Sequence, residues 1–288
     1  MATVAELLSQ RQQLVACSDS PALDIAMLLC HCLQKPSSYL RAWPEAEVPE
    51  PARQQFQSLL ERRITGEPVA YLIGERGFWS LDLQVSPCTL IPRPETELLV
   101  ELALATISAK TAASILDLGT GTGAIALALA AERSDCVIKA CDVTAQAVAL
   151  AESNRQKYSL DNVEIFQSNW FAALSDQSFD LIVSNPPYID SADKHLQQGD
   201  VRFEPRSALV ADSKGLADIA TIIRQAPAYL SDHGWLLLEH GYDQATAVQA
   251  LLATAGFEQV FTQQDLAGLD RVTGACYIAA SNGAKPSE

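Results

Sequence analysis

Ile115-Leu116-Asp117-Leu118-Gly119-Thr120-Gly121-Thr122-Gly123-Ala124 reads as a buried strand, a glycine turn and the start of an apolar helix running from Ala124 to Ala131. Glycines at such a turn let the backbone approach a ligand closely, and the helix N-terminus that follows favours anionic groups. The stretch sets the class of fold without settling the ligand. Gly119, Gly121 and Ala124 also satisfy the dinucleotide pattern G-x-G-x-x-A, so a nicotinamide enzyme stays open, as does a tight turn with no ligand.

Working outward, a second strand, Val137-Ile138-Lys139-Ala140-Cys141, ends at Asp142, 23 positions after Gly119. An acid there can take both hydroxyls of a ribose, or it can simply cap the helix that begins near Thr144. Val163-Glu164-Ile165-Phe166 leads to Asn169-Trp170, and Phe179-Asp180-Leu181-Ile182-Val183-Ser184 delivers Asn185-Pro186-Pro187-Tyr188. Further on come a helix from Gly215 to about Leu230, a strand at Trp235–Glu239, a helix from Tyr242 to Ala255, and strands near Gln259 and Tyr277. Strands alternating with helices predict a largely parallel sheet, whose ligands gather at the carboxyl ends of the strands. Three strand ends then bring a glycine turn, a ribose acid and the NPPY loop to one crevice.

The NPPY loop suggests methyl transfer to a planar, amide-like nitrogen. Such a nitrogen has its lone pair delocalised, so attack on a sulfonium methyl requires that pair to be turned toward the methyl carbon. An Asn185 side-chain oxygen and the Pro186 carbonyl can do this by accepting the two N–H hydrogens. Pro187 has no N–H to compete, and Tyr188 offers an aromatic face to a flat group. Taken alone, the tetrapeptide also reads as a stiff strand-ending turn.

Leu90-Ile91-Pro92-Arg93-Pro94-Glu95-Thr96-Glu97, the glycine stretch, SNPPYI, and His195-Leu196-Gln197-Gln198-Gly199-Asp200-Val201-Arg202-Phe203-Glu204-Pro205 together resemble the bacterial peptide-chain release factor N5-glutamine methyltransferases. The likeness takes in Gly74–Ser80 and Asp265–Val272, so it spans nearly the whole chain. It implies an α/β fold: a Rossmann-like class I S-adenosylmethionine-dependent methyltransferase domain with a small N-terminal helical domain. It also implies methyl transfer from S-adenosylmethionine to the glutamine of a Gly-Gly-Gln loop in class I release factors, supporting translation termination. Carried over, Gly119, Thr120, Gly121, Thr122 and Gly123 wrap the methionine end of the cofactor, Asp142 holds the ribose, and Trp170 packs near the adenine. Asn185 and Pro186 accept from the glutamine amide, Asn185 also touches the cofactor, and Pro187 and Tyr188 line the substrate pocket. Asn169 departs from the Asp expected there, although an Asn oxygen can still accept from the adenine amine.

At 288 residues, 48% hydrophobic and 19% charged, the chain has the composition of a globular protein with room for two domains. No run approaches the roughly 18 apolar residues of a spanning helix, and no basic region precedes an apolar stretch at the N-terminus, so a cytoplasmic protein without membrane contact is expected, with a monomer as the default. The seven cysteines lack paired C-x-x-C spacing and read as reduced core residues. Cys30, His31 and Cys32 are too few for a zinc site, so no metal is expected; His195, His233 and His240 read as structural. Net charge is −15; residues 1–88 hold 10 acids and 7 bases, which leaves −12 for the rest. A DNA-modifying enzyme would need a basic surface, and no Lys/Arg cluster exceeds Arg62-Arg63. An acidic chain instead suits a basic protein partner. A DNA amino-methyltransferase shares NPPY but lacks that basic surface here, a nicotinamide enzyme gives NPPY no role, and a non-catalytic adaptor binding through residues 1–70 is the alternative from another class.

Residues 1–74 read as a helical, substrate-recognition domain, 75–92 as a β-hairpin linker and 93–288 as the catalytic domain. Thr3 and Glu6 make a capping box, and Ser20-Pro21 opens a helix with Leu23, Met27, Leu28 and Cys30 on its apolar side. A Pro-rich stretch from Trp43 to Pro51 precedes a third helix ending near Gly66. Phe78 to Val85 alternates as a hairpin, Pro94 starts a helix to about Ala109, and the tail after Ser281 reads as frayed.

Overall fold

The computed structural model describes residues 2–279, so the tail after Ser281 lies outside the described residues. The chain forms two compact units: residues 2–75, 85–87 and 194–204 make the first, and 76–84, 88–193 and 205–279 the second.

The first unit packs α1 (Val4–Ser9), α2 (Pro21–Leu33), α3 (Ser37–Ala42), α4 (Glu50–Ile64) and α5 (Val69–Ile73) around Leu14, Ile25, Leu28, Leu29, Phe56 and Leu60. The capping box forms: the Glu6 N–H donates to Thr3 Oγ1 at 3.2 Å and the Thr3 N–H to Glu6 Oε2 at 2.9 Å. On α2 the expected inward face holds for Leu28, which is buried, and for Met27 and Cys30, which pack against the core, but not for Leu23. Leu23 is 59% exposed, whereas Asp24, Ile25, Leu28, Leu29 and Cys32 are buried. Ile25, Leu28, Leu29 and Cys32 form a regular apolar stripe, and Asp24 beside it is held in an ion pair inside the unit, where the Arg63 guanidinium donates from Nε to Asp24 Oδ2 at 2.8 Å. Arg63 Nη1 also reaches Asp200 at 3.1 Å and the carbonyls of Gly66 and Glu67, both at 3.1 Å. Arg202 adds a 2.7 Å bond to the Thr65 carbonyl, so residues 194–204 are held to this unit by side chains far away in sequence.

A two-stranded sheet, β1 (Glu75–Phe78) with β2 (Leu81–Gln84), stands where alternation predicts a hairpin. The main sheet of the second unit has seven strands: β3 (Ser114–Leu118), β4 (Val137–Asp142), β5 (Val163–Gln167), β6 (Phe179–Ser184), β7 (Leu230–Glu239), β8 (Glu258–Gln264) and β9 (Asp270–Tyr277), in the spatial order β5-β4-β3-β6-β7-β9-β8. The pairs from β5 through to β7 are parallel, and β9 runs antiparallel to both β7 and β8. Its helices are α6 (Glu97–Thr106), α7 (Ala124–Glu132), α8 (Ala145–Tyr158), the short turn α9 (Asp212–Gly215), α10 (Ala217–Gln225) and α11 (Ala245–Thr254).

Side chains alternate faces along a strand, and the two cores record this. Ile115, Leu181, Val183 and Leu237 pack on one face with Leu99, Ile125 and Leu129. Leu116, Leu118, Ile182, Leu236 and Leu238 pack on the other with Ile219, Ile222 and Val248. Central parallel strands are buried on both sides, which is why β3 and β6 read as continuous apolar runs. The strand order reverses beside β3, and the crevice at that switch point lies between the ends of β3 and β6.

Two helix starts are later than the sequence suggests, each for its own local reason. The helix expected from Gly215 begins at Ala217 because Ser213, Lys214 and Gly215 all take left-handed backbone angles. The helix expected from Tyr242 begins at Ala245 because the Gln244 side chain is diverted: it accepts from the Gly241 N–H at 2.8 Å and donates to the Tyr188 carbonyl at 3.0 Å.

Candidate active site

The glycine turn leaves β3 and curls with φ of +72° at Gly119, +57° at Gly121 and +85° at Gly123. These are left-handed values that side chains with a Cβ resist. A Cβ on Gly123 would also come within 2.9 Å of the Leu127 side chain. Two acids hold the turn. Thr120 donates its hydroxyl to Asp117 Oδ2 at 2.6 Å, and the Gly121 N–H donates to Asp142 Oδ2 at 3.1 Å. Asp142 Oδ1 accepts from the N–H and hydroxyl of Thr144 at 3.0 and 3.1 Å, while Thr144 itself caps α8. The acid thus organises both turns, with lone pairs left over on its oxygens. Asn154, fully buried on α8, donates to the Thr122 carbonyl at 2.9 Å and ties the turn to Gln84.

Asp117 is fully buried, and loss of solvent pushes its pKa up to about 7 against the pull of the Thr120 hydroxyl. Its Oδ1 has no hydrogen-bond partner among the described residues. An acceptor left bare below an anion-favouring turn fits a ligand that carries a cationic amino group as well as a carboxylate.

The Trp170 indole lies over the turn, since a Cβ on Gly119 would sit 3.4 Å from its ring. Trp170 has φ +49°, and Ser168 secures this bend by donating its hydroxyl to the Trp170 carbonyl at 2.7 Å. Asp218 lines the same cavity; its pKa is raised by burial and by the Asp212 charge, with a hydrogen bond from Trp170 opposing.

Ser184, the last residue of β6, donates its hydroxyl to the Leu118 carbonyl at 2.7 Å and so registers the NPPY loop beside the glycine turn. Asn185 donates Nδ2–H to Thr96 Oγ1 at 3.1 Å. That leaves the side-chain oxygen as its second polar end, with the amide orientation assigned from this bond. The Tyr188 hydroxyl donates to Glu239 Oε1 at 3.2 Å, and burial pushes its pKa up. One cavity is lined by Gly119 to Thr122, Asp142, Asn169, Trp170, Asn185 and Pro187, together with Thr89, Arg93, Thr96 and Asp218. Gly123, Pro186 and Tyr188 adjoin these lining residues in sequence but are not among them.

Thr96, Asp218, Asn154 and Glu239 were given no role by the sequence reading. Glu239 ends the apolar run Trp235-Leu236-Leu237-Leu238, which is a usable signal; Asn154, between Ser153 and Arg155, Thr96 and Asp218 carry none of their own. His240 is structural: it is buried, its Nδ1 meets the Gly241 carbonyl at 2.8 Å and its Nε2 the Thr273 hydroxyl at 2.7 Å. Among the described residues there is no cluster of three or more potential metal ligands, no disulfide, and no helix long and apolar enough to cross a membrane.

Family models match in two places: a methyltransferase small domain over residues 95–203 and a PrmC N-terminal domain over residues 6–74. The release factor glutamine methyltransferase of Pseudomonas aeruginosa is 57% identical over 95% of this chain and 98% of its own. That of Escherichia coli is 52% identical over 93% and 95%. Among solved structures, a methyltransferase from Pyrococcus furiosus superposes with a TM-score of 0.53, covering 76% of this chain and 98% of its own at 16% identity, a likeness of fold. With more than half its residues identical across almost its full length, this chain belongs to the release factor glutamine methyltransferase family.

Proposed function

We propose that this crevice transfers a methyl group from S-adenosylmethionine to the side-chain amide nitrogen of the glutamine in the Gly-Gly-Gln loop of bacterial class I release factors. The observation that carries the reading is the Asn185 amide. Its N–H end is taken by Thr96, so its oxygen is the end available to an incoming amide, beside the glycine turn.

The residues fit the donor. Gly119 to Gly123 would lie along its methionine end, Asp117 beneath the amino group, Asp142 at the ribose, and Trp170 with Asn169 at the adenine. When bound, the donor supplies an electrophilic sulfonium methyl group. The protein orients the acceptor. Asn185 Oδ1 and the Pro186 carbonyl accept the two N–H hydrogens of the glutamine amide and turn the nitrogen lone pair toward the methyl carbon. As amide resonance is lost, positive charge grows on those hydrogens, so both acceptors bind the transition state better than the ground state. Proximity supplies much of the remaining rate, and no strong base is required.

The helical first unit serves substrate recognition in this reading, and the protein works in the cytoplasm as a monomer on a protein rather than on DNA. The net charge of −15 supports a basic protein partner and disfavours a phosphate backbone. An association rate with the release factor that ignores salt would count against the steering.

The test is transfer of labelled methyl to a purified release factor, with its Gln-to-Ala loop variant and duplex DNA as parallel acceptors. Label on the intact factor alone is expected; label on DNA moves the chemistry to a base amine. Asn185→Ala should lower turnover about a hundredfold, by analogy with loss of one preorganised polar contact, with cofactor affinity measured separately by calorimetry. Near-normal turnover in that variant removes Asn185 from its role.

A further inference from the structure

Methyl transfer leaves one stretch of the family resemblance, residues 265–272, without a task. Sheet register places it. Leu118, Ser184, Leu238 and Thr273 form one row across β3, β6, β7 and β9. One residue further out stand Gly119, Asn185, Glu239 and Val272, with Glu239 paired to Val272. The turn between β8 and β9 therefore leaves the sheet at the edge that carries the glycine turn and the NPPY loop.

That turn is tightly bonded within itself. Asp265 Oδ1 accepts from the Ala267 and Leu269 N–H groups at 2.9 and 3.1 Å. The Asp265 N–H donates to the Leu269 carbonyl, and the Gly268 N–H to the Asp265 carbonyl, both at 2.9 Å. Asp265 Oδ2 accepts from Arg271 Nε and Nη2, both at 3.2 Å, and so takes up the arginine's charge. All of this holds Leu266 and Leu269 out in solvent, Leu266 fully. Beside it, the His240 N–H donates to the Arg271 carbonyl at 2.9 Å, so the turn at residues 241–244 emerges next to the hairpin and presents an exposed Tyr242. Gln244 in that turn donates to the Tyr188 carbonyl at 3.0 Å, which joins it to the NPPY loop.

We propose that Leu266, Leu269 and Tyr242 form a docking ridge for the release factor, contacting apolar side chains of the protein that flanks the target glutamine. The proposal rests on the proposed function and deepens it. Apolar side chains gathered on the surface and rimmed by polar groups mark an interaction site, and a tip on a rigid turn binds with little ordering cost. A glutamine presented by a protein loop brings its flanks to this same sheet edge. Charge indicates the kind of partner. From residue 225 to 270 the chain has six acids and neither lysine nor arginine, and Asp243 is exposed beside Tyr242. The ridge thus fits a basic segment carrying apolar side chains, whereas a second, equally acidic copy of this chain is disfavoured.

The experiment titrates the full chain and its Leu266→Ser/Leu269→Ser double variant with a purified release factor. Calorimetry gives Kd, and labelled-methyl transfer gives KM and kcat. Val137→Ser is the control, because Val137 is equally apolar and exposed but lies where β4 begins, at the opposite sheet edge. In the double variant Kd and KM should rise about tenfold, the scale of one leucine side chain left unburied, with kcat and S-adenosylmethionine affinity within about twofold of the parent. Leu266→Met/Leu269→Met should bind as the parent does. The rise in Kd should persist with the Gln-to-Ala release factor, since the ridge lies outside the glutamine pocket. Unchanged Kd and KM in the serine variant, or an equal rise in Val137→Ser, overturns the proposal. Loss of a self-associated form on sedimentation, with release-factor affinity intact, also overturns it and makes a second copy the occupant. A parent chain that binds the factor without labelling it sinks the proposed function, while the Kd comparison still judges the ridge; a parent that does not bind it overturns both.

Discussion

Gly215 and Tyr188 are in such close backbone contact that a Cβ built on Gly215 would lie 2.0 Å from the Tyr188 carbonyl oxygen. Gly215 also has φ +81°, so both space and backbone angle demand glycine here. The same carbonyl accepts from Gln244 Nε2 at 3.0 Å, and Gln244 donates as well to the Lys214 carbonyl at 3.1 Å. The far end of the NPPY loop is therefore clamped from outside the cavity.

Gly215→Ala should push the Tyr188 backbone and disturb the loop while leaving the glycine turn intact. Turnover is expected to fall about tenfold or more through misplacement of the acceptor, with cofactor affinity changing much less. Calorimetry for the cofactor and labelled-methyl transfer for turnover give the comparison. Equal losses in both would place the effect elsewhere.

Asp142 organises two turns with one carboxylate. Asp142→Ala should weaken S-adenosylmethionine binding by about tenfold to a hundredfold, the range for hydrogen bonds to a charged group. Asp142→Asn, which keeps one oxygen acceptor, should lose less. Titration calorimetry on both variants tests this, and an unchanged affinity in the alanine variant would remove Asp142 from the cofactor site.

Arg63 is the centre of the first unit's buried polar group. Arg63→Met would leave Asp24 buried without its cation, at a cost of about 3–5 kcal/mol. Adding Asp24→Asn should recover a good part of that. Urea unfolding of the single and double variants measures both, and a single variant as stable as the parent would show the pair to be dispensable.

Asp117 and Glu239 give a stability signature with a definite sign. Burial, the leading cause in each, raises both to about 7 from ordinary values of 3.8 and 4.5. Between those limits the folded chain holds protons that the unfolded chain has released, so stability falls as pH rises from about 4.5 to about 7 and then levels. His240, held below its ordinary 6.5 by burial, works in the opposite direction at the acid end. Glu239→Gln should flatten the decline by up to about 1.4 kcal/mol per pH unit. Unfolding free energies at pH 5.5 and 8 suffice; an unchanged slope would mean the carboxyl is ionised throughout.

The sheet was legible because burial on two faces writes itself as apolar runs, and the glycine turn because left-handed angles leave few choices of residue. The NPPY loop and Asp142 were legible because strand ends in this fold meet at one edge. Thr96 was not, since it meets Asn185 across 89 positions of chain and makes no local pattern. Leu23 was misplaced for a different reason: Ile25, Leu28, Leu29 and Cys32 make the i, i+3, i+4, i+7 stripe that faces the core, and Leu23 lies outside it.

The first unit borrows residues 194–204 from a point well past the glycine turn. During synthesis the ribosome must therefore finish most of the second unit's parallel strands before Asp200 and Arg202 emerge to close the first. A fragment cut at residue 75 is not a transplantable cassette: it would leave Arg63 without Asp200 and the Thr65 carbonyl without Arg202. The first unit is begun before the second and closed only after β3 to β6 of the second have been made.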